Sequence, residues 1–219
     1  MNTYKKNARI ADISLRKAAI FSGVGFLLMF LIAFTGMPLY QNLIVQGDAA
    51  TTVNNIMANL LQFRIGVASY LIVLILDVVV AVGLYLVLKQ VNKNLALLQM
   101  WLRLIYTAIA LISLLALVLL FINAYSYGQL IAYAFFIPHV FVLGYLVFKS
   151  GYIPRIIGIL LIIASFCYVI LLYGVFLLPQ NWLEASSLIV ILLAIIGELS
   201  IGIGLLWKGL RNEIPEMKS

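Results

Sequence analysis

Six long apolar runs constrain the fold of this chain more than any other feature. A hydrocarbon core of about 30 Å requires roughly 20 helical residues, and only a helix satisfies all of its own backbone groups within lipid. The sequence therefore predicts an all-α polytopic membrane protein, a six-transmembrane-helix bundle at residues 18–207 between tails at 1–17 and 208–219. The predicted spans are Ala18–Met37, Ile65–Leu88, Leu95–Ile122, Leu130–Phe148, Ile156–Leu178 and Ser187–Trp207.

The composition supports a single membrane-embedded domain, residues 1–219, with the lipid bilayer as its main partner. Hydrophobic residues make up 65% of the chain and charged residues 10%, whereas a soluble domain carries about 25% charged residues. The net charge of +7 does not indicate nucleic acid as a partner, because the basic residues flank the apolar runs rather than forming one patch. The single cysteine, Cys167, excludes an intramolecular disulfide and a multi-cysteine zinc site.

The distribution of Lys and Arg predicts the orientation. Twelve of the fourteen basic residues lie in the two tails, between the second and third spans, or between the fourth and fifth spans, which all face one side. Of the other two, Arg64 lies at the opposite face and Arg103 lies within a span. Because basic residues favour the cytoplasmic side, we expect the N- and C-termini in the cytoplasm.

The longest connection, Pro38–Arg64, has a pattern of its own. Its apolar residues recur at helical spacing, and asparagines occupy the opposite face. This pattern predicts either an amphipathic helix over residues 51–64 at the outer interface or an outward extension of the second span, with Asp48 or Thr51 as N-cap. The segment would then act as a lid that packs on the bundle or as a substrate gate.

Four ionisable residues interrupt the apolar runs, one in each of four predicted spans. They are Asp77, Arg103, His139 and Glu198. Counted from the cytoplasmic ends of the predicted spans, they lie about 12–16 Å deep, so we expect one polar layer to which four helices contribute. Charge within a bilayer is costly and marks a candidate functional site.

The chemistry of the four residues predicts that they form two pairs with different roles. Arg103 stays charged and needs a carboxylate, which Asp77 on the adjacent antiparallel helix can supply, with Glu198 as a second acceptor. If Asp77 takes the arginine, Glu198 is left partly unpaired and could share a proton with His139. We therefore expect Asp77 and Arg103 as an orienting pair, and His139 and Glu198 as a titrating pair that binds a proton, a cation or a small polar ligand.

Three functions stay open at this point. A transport-like or ligand-binding role needs a polar layer that a ligand can reach, while a structural or accessory membrane subunit needs only an ion pair that joins helices. An intramembrane enzyme using His139 and Glu198 ranks lowest, because the sequence has no Gly-x-Ser-x-Gly or His-Glu-x-x-His motif. A single histidine also falls short of the usual catalytic zinc ligands, so we expect no metal site and no cofactor.

Several motifs spread along the chain resemble a known family. They are LDVV at residues 76–79, VNKNLAL at 91–97, LGYLVFKSGYIPR at 143–155 and GELS at 197–200. The chain resembles a bacterial family of small polytopic integral membrane proteins classed as a domain of unknown function. The resemblance implies an inner-membrane helical bundle without an established activity. The small residues in the last span favour close helix packing, and an oligomer formed through that face is possible.

Overall fold

The described residues form seven helices and confirm the all-α prediction. In this computed structural model they are residues 14–45, 47–177 and 180–211, with side chains described except at 175–191 and 194. The helices are α1 (Leu15–Gln41), α2 (Ala49–Ala58), α3 (Leu60–Leu88), α4 (Lys93–Val118), α5 (Ile122–Ser150), α6 (Arg155–Leu177) and α7 (Gln180–Leu210).

Five of these helices, α1, α3, α4, α5 and α6, are long and apolar enough to cross a membrane. Many of their apolar side chains face outward, as Phe34 and Ile112 do at 70% and 68% exposure. Such apolar outer surfaces indicate a lipid environment. The sixth predicted span falls within α7, so a six-span count stays a prediction.

The six long helices form a closed ring in which each contacts the next, in the order α1, α3, α4, α5, α6, α7 and back to α1. The Arg16 side chain donates to the Gly209 carbonyl oxygen over 3.1 Å, which joins the start of α1 to the end of α7. We call this the terminal end of the bundle. The opposite end, which holds Gln41 and the short helix, is called the α2 end.

Small residues allow the helices of the ring to approach closely. A Cβ atom added to Gly158 on α6 would lie 2.7 Å from the Gly144 carbonyl oxygen on α5. The glycines of α7 are used in the same way, since Gly202 faces Phe26 on α1 and Gly197 faces Leu160 on α6. The glycine face of the last helix is therefore occupied within the chain, and an oligomer through that face has no support.

The connection between α4 and α5 differs from the sequence prediction. The third span was expected to reach Ile122 and to be followed by a connection at 123–129, but α4 ends at Val118 and α5 begins at Ile122. Leu120 takes the left-handed conformation, with φ of 62°. Phe121 N donates to Ala116 O over 2.8 Å, and Leu120 N donates to Leu117 O over 2.9 Å. These two bonds form a Schellman motif, with leucine where glycine usually signals the turn.

The segment between α1 and α3 combines the two expected arrangements. A separate short helix, α2, is capped by Asp48, whose Oδ1 accepts from Thr51 N over 2.9 Å. The Thr51 hydroxyl donates to the same carboxylate, and both bonds hold the pKa of Asp48 below its usual value. The second span also extends outward, because α3 begins at Leu60 directly after α2.

The core has two apolar parts. One lies toward the terminal end and includes Phe26, Val80 and Leu205, and the other lies toward the α2 end and includes Tyr70, Leu74 and Ala110. Asp77 and Arg103 come between these parts along α3 and α4. The fold therefore places its buried charge where the two apolar clusters meet.

Candidate functional site

The four predicted residues lie at closely matched depth. Counted along the observed helices from the terminal end, Asp77, Arg103, His139 and Glu198 lie about 15–18 Å in. The antiparallel order of the ring brings these residues to one level, although they come from four different helices. A layer of this kind was expected from the sequence.

Asp77 and Arg103 form a buried ion pair between α3 and α4, each with a residue exposure of 2%. Arg103 Nη2 and Nε both donate to Asp77 Oδ1, over 2.5 Å and 2.9 Å. The Thr107 hydroxyl donates to the other carboxylate oxygen, Oδ2. The Phe26 ring of α1 lies 4.9 Å from the guanidinium carbon, so a cation–π contact adds a third helix. The charge of Asp77 is thus fully compensated.

His139 belongs to the same network rather than to Glu198. Arg103 Nη1 lies 3.2 Å from His139 Nε2, and a guanidinium can only donate, so Nε2 is the acceptor and is unprotonated. The ring proton then sits on Nδ1, which donates to the Gln99 carbonyl oxygen over 3.0 Å. His139 is therefore neutral, and both of its ring nitrogens are used.

The Gln99 side chain completes this assignment. Its amide group lies 3.1 Å from His139 Nδ1. An NH₂ group at this position would face the Nδ1 proton, so two hydrogen-bond donors would be in contact. A half-turn of the amide presents Oε1 to that proton. The same half-turn gives a partner to Oε1, which is otherwise buried without one. Gln99 and His139 thereby join α4 to α5, with the His139 ring proton shared between the Gln99 carbonyl oxygen and Oε1.

Glu198 is in a different situation from Asp77. Its Oε1 accepts a hydrogen bond from the Tyr168 hydroxyl of α6, and its side chain is half-buried. Among the described side chains, Arg103 is the cation within the bundle, and its salt bridge is made with Asp77. No described basic residue forms a salt bridge with Glu198, so the described partner of its carboxyl group is the Tyr168 hydroxyl.

A cavity of about 650 Å³ lies inside the ring, and Glu198, Asp77 and Arg103 line it together. Its walls come from α1, α3, α4, α5 and α7. Aromatic side chains form much of the lining: Phe30, Tyr40, Tyr70, Tyr106, Tyr125, Tyr133 and Phe136. A volume of this size is within the usual range for small-molecule pockets.

The cavity extends from the charged layer toward the α2 end, where Gln41 and Ser126 line it. Two tyrosine hydrogen bonds mark this part: Tyr40 Oη lies 3.3 Å from Tyr125 Oη, and the Tyr70 hydroxyl donates to Gln129 Oε1 over 3.1 Å. The Gln129 Nε2 atom is buried and finds no acceptor among the described residues. The cavity wall thus offers a free polar group as well as aromatic surface.

Sequence reasoning missed most of this cavity. Ser126 and Gln129 were assigned to a connection because they are polar, whereas they lie on the cavity face of α5. Tyr106 and Tyr168 could be recognised only as tyrosines within spans, since nothing local shows which tyrosines face inward. The predicted direct pair of His139 and Glu198 is not formed, because His139 binds Arg103 and Gln99 instead.

The donor set does not favour a metal ion. Within residues 14–45, 47–177 and 180–211, no group of three His, Cys, Asp or Glu side chains is placed to hold one. A hard cation such as Ca²⁺ takes six to eight oxygen ligands, but the cavity is lined mainly by rings and aliphatic groups. A proton at Glu198, or a cation that needs few oxygen ligands, fits this environment better.

Comparisons with known proteins point to one family. The family model described as a domain of unknown function, DUF4386, matches residues 21–120 and 115–209. No curated protein and no solved structure matches the chain. The resemblance stated from the sequence motifs is therefore confirmed, and it carries no assigned activity.

Proposed function

Since the chain belongs to the DUF4386 family, whose description names no activity, we propose a function from the geometry of the site. The protein is a ligand-binding or transport-like membrane protein in which Glu198 binds a proton, a cation or the positive end of a small polar ligand. The single observation that supports this most strongly is a carboxyl group without a cationic partner, within a cavity that extends to the α2 end.

The four polar residues divide into two groups in this proposal. Asp77, Arg103 and His139 form a satisfied network that holds α3, α4 and α5 together. Removing one partner of such a network lowers the stability of the fold, because it leaves a buried charge unpaired. The members of the network also have little freedom to exchange protons. Glu198 is the titrating residue, and Tyr168 is a positioning residue that holds one carboxylate oxygen.

Infrared spectroscopy of the purified protein tests whether Glu198 takes up a proton. A protonated carboxyl group has its own C=O stretching band, and we expect this band to change between acidic and alkaline buffer. Glu198→Gln should remove the part of that change that comes from Glu198, whereas Asp48→Asn, which alters an exposed carboxylate, should leave the Glu198 part in place. An unchanged spectrum in Glu198→Gln would contradict the proposal.

A structural or accessory subunit is the second candidate, and the satisfied Asp77–Arg103–His139 network favours it. In that case Glu198 would do no more than join α7 to α6 through Tyr168. An intramembrane enzyme would require His139 and Glu198 to act together as base and acid. The engagement of both His139 nitrogens by other groups leaves this possibility without geometric support.

We further propose that the protein lies in the bacterial inner membrane with six spans and both termini in the cytoplasm. The asymmetric distribution of Lys and Arg supports this orientation. The α2 end of the cavity then faces the outside of the cytoplasmic membrane. A ligand would reach Glu198 from that side.

A further inference from the structure

The walls around Glu198 give information about the kind of ligand. Tyr168, which donates to Glu198, belongs to an aromatic cluster with Tyr106, Tyr133 and Phe136. The ring centres of Tyr106 and Phe136 are 4.6 Å apart, and those of Tyr133 and Tyr168 are 6.0 Å apart. The carboxyl group therefore lies beside a cluster of aromatic rings from three helices.

The charges that line the cavity favour a positive ligand. Arg103 makes its salt bridge with Asp77, so the ionised form of Glu198 is a negative charge without a salt bridge to a described basic residue. A ring face also attracts cations, because its π cloud is electron-rich. An anionic ligand would meet Glu198 without a free cation to bind it.

The size and polarity of the cavity indicate which class of cation fits it best. A proton alone does not need about 650 Å³, and a hydrated metal ion would find few oxygen ligands there. An organic cation satisfies both conditions, since its charged head needs one carboxylate and aromatic faces while its apolar body fills the remaining volume.

We infer that the cavity binds an amphipathic organic cation, with its charged head between Glu198 and the aromatic cluster and its apolar body toward the α2 end. This inference rests on the proposed function, because it names the ligand class of the same site. Tyr168 holds Glu198 Oε1, and the second carboxylate oxygen faces the ligand head. Met29, Met37 and Leu74 line the part of the cavity that takes the body.

Two probes of equal size and opposite charge test this inference. Tetraphenylphosphonium and tetraphenylborate share the same shape, so their difference in binding reports charge selection rather than partition into detergent. We expect saturable equilibrium-dialysis binding of the phosphonium to the full chain and none of the borate. Benzyltrimethylammonium serves as a smaller cation, and failure of both cations to bind would overturn the inference.

Variants locate the bound cation. Glu198→Gln should weaken phosphonium binding at least about tenfold, and Glu198→Asp, which keeps the charge, should restore most of it. Tyr106→Leu removes one ring of the aromatic cluster and should weaken binding about threefold to tenfold. The matched control is Tyr173→Leu, because Tyr173 lies on the outer surface of α6 at 54% exposure, and binding should not change.

The possible outcomes separate this inference from the proposed function. Suppose first that the infrared band of Glu198 titrates. If neither cation then binds, or if Glu198→Gln binds the phosphonium as well as the unaltered protein does, the organic-cation inference is wrong and the proton site stands. If the band does not titrate and no cation binds, both are wrong. Binding of the borate at the same level as the phosphonium would indicate an apolar site without charge selection.

Discussion

Arg103 determines which of the buried carboxylates forms an ion pair. Its guanidinium donates twice to Asp77 and once to His139, and it also contacts the Phe26 ring. Of the two carboxylates that line the cavity, Glu198 is therefore the one without a salt bridge to a described residue. The sequence predicted the Asp77–Arg103 pair because the two residues lie at equal depth on adjacent antiparallel helices. The fixed tautomer of His139 depends on tertiary contacts with Arg103 and Gln99, which no local pattern could reveal.

The ion pair should show strong non-additivity. Asp77→Ala leaves the Arg103 charge buried without its carboxylate, and we expect the free energy of unfolding to fall by about 3–5 kcal/mol. The double variant Asp77→Ala, Arg103→Ala should recover much of that loss, because no unpaired charge remains. Denaturant unfolding in detergent measures both, and a double variant no more stable than the single one would show that the pair is not the source of the effect.

The helix ends show which local sequence signals are sufficient to predict where a helix begins or ends. Asp48 and Thr51 were the two expected N-caps of the short helix, and Asp48 is the one that caps it. Gly151 ends α5 in the left-handed conformation, with φ of 75°. The turn after α4 was missed because Leu120 takes the position usually held by glycine. Ser126 and Gln129 were assigned to a loop because polar residues within a span normally indicate its end, whereas here they line a cavity.

The close crossing of α5 and α6 depends on glycines, which have no side chain, at the point of contact. A Cβ atom at Gly158 would lie 2.6 Å from Phe148 N and 2.7 Å from Gly144 O. These are backbone atoms that cannot move aside, so Gly158→Ala should lower the free energy of unfolding by about 1–3 kcal/mol. The control is Gly204→Ala, whose nearest contact is the flexible Cδ1 end of Ile157. Equal thermal shifts for the two variants would contradict this account.

The cap of α2 should be sensitive to pH. Hydrogen bonds from Thr51 hold the pKa of Asp48 below its unfolded value of about 3.9. The contribution of the ionised cap to α2 is therefore fully present above the unfolded pKa and is lost as the pH falls through the lower folded pKa. Amide exchange along α2 measures this loss, and Asp48→Asn should keep a cap without the pH dependence. Exchange that responds to pH identically in both proteins would argue against the cap.

At the scale of the whole molecule, ring closure creates the site. The sequence predicted the all-α class, the approximate spans and four polar residues at one depth, because each depends on composition or on counting along helices. The cavity, the aromatic cluster and the Tyr168–Glu198 bond depend on which helix faces become inner faces. That information lies in packing between helices, so it could not be obtained from periodicity.

The orientation of the bundle is open to a direct test. Arg16 contacts Gly209, so the two terminal helices end on one side of the bundle. We expect that side to be cytoplasmic, because most basic residues lie there. A C-terminal green fluorescent protein fusion should fluoresce and a C-terminal alkaline phosphatase fusion should be inactive, whereas the reverse pattern would place the termini outside.

Carbodiimide labelling tests the central claim most directly, namely that Glu198 is a reachable carboxyl group without a cation while Asp77 is locked in an ion pair. An apolar carbodiimide reacts with protonated carboxyl groups within membranes, and peptide mass spectrometry locates the adduct. We predict labelling of Glu198 and protection of Asp77 in the unaltered protein. Labelling of Asp77 with Glu198 protected would contradict the account.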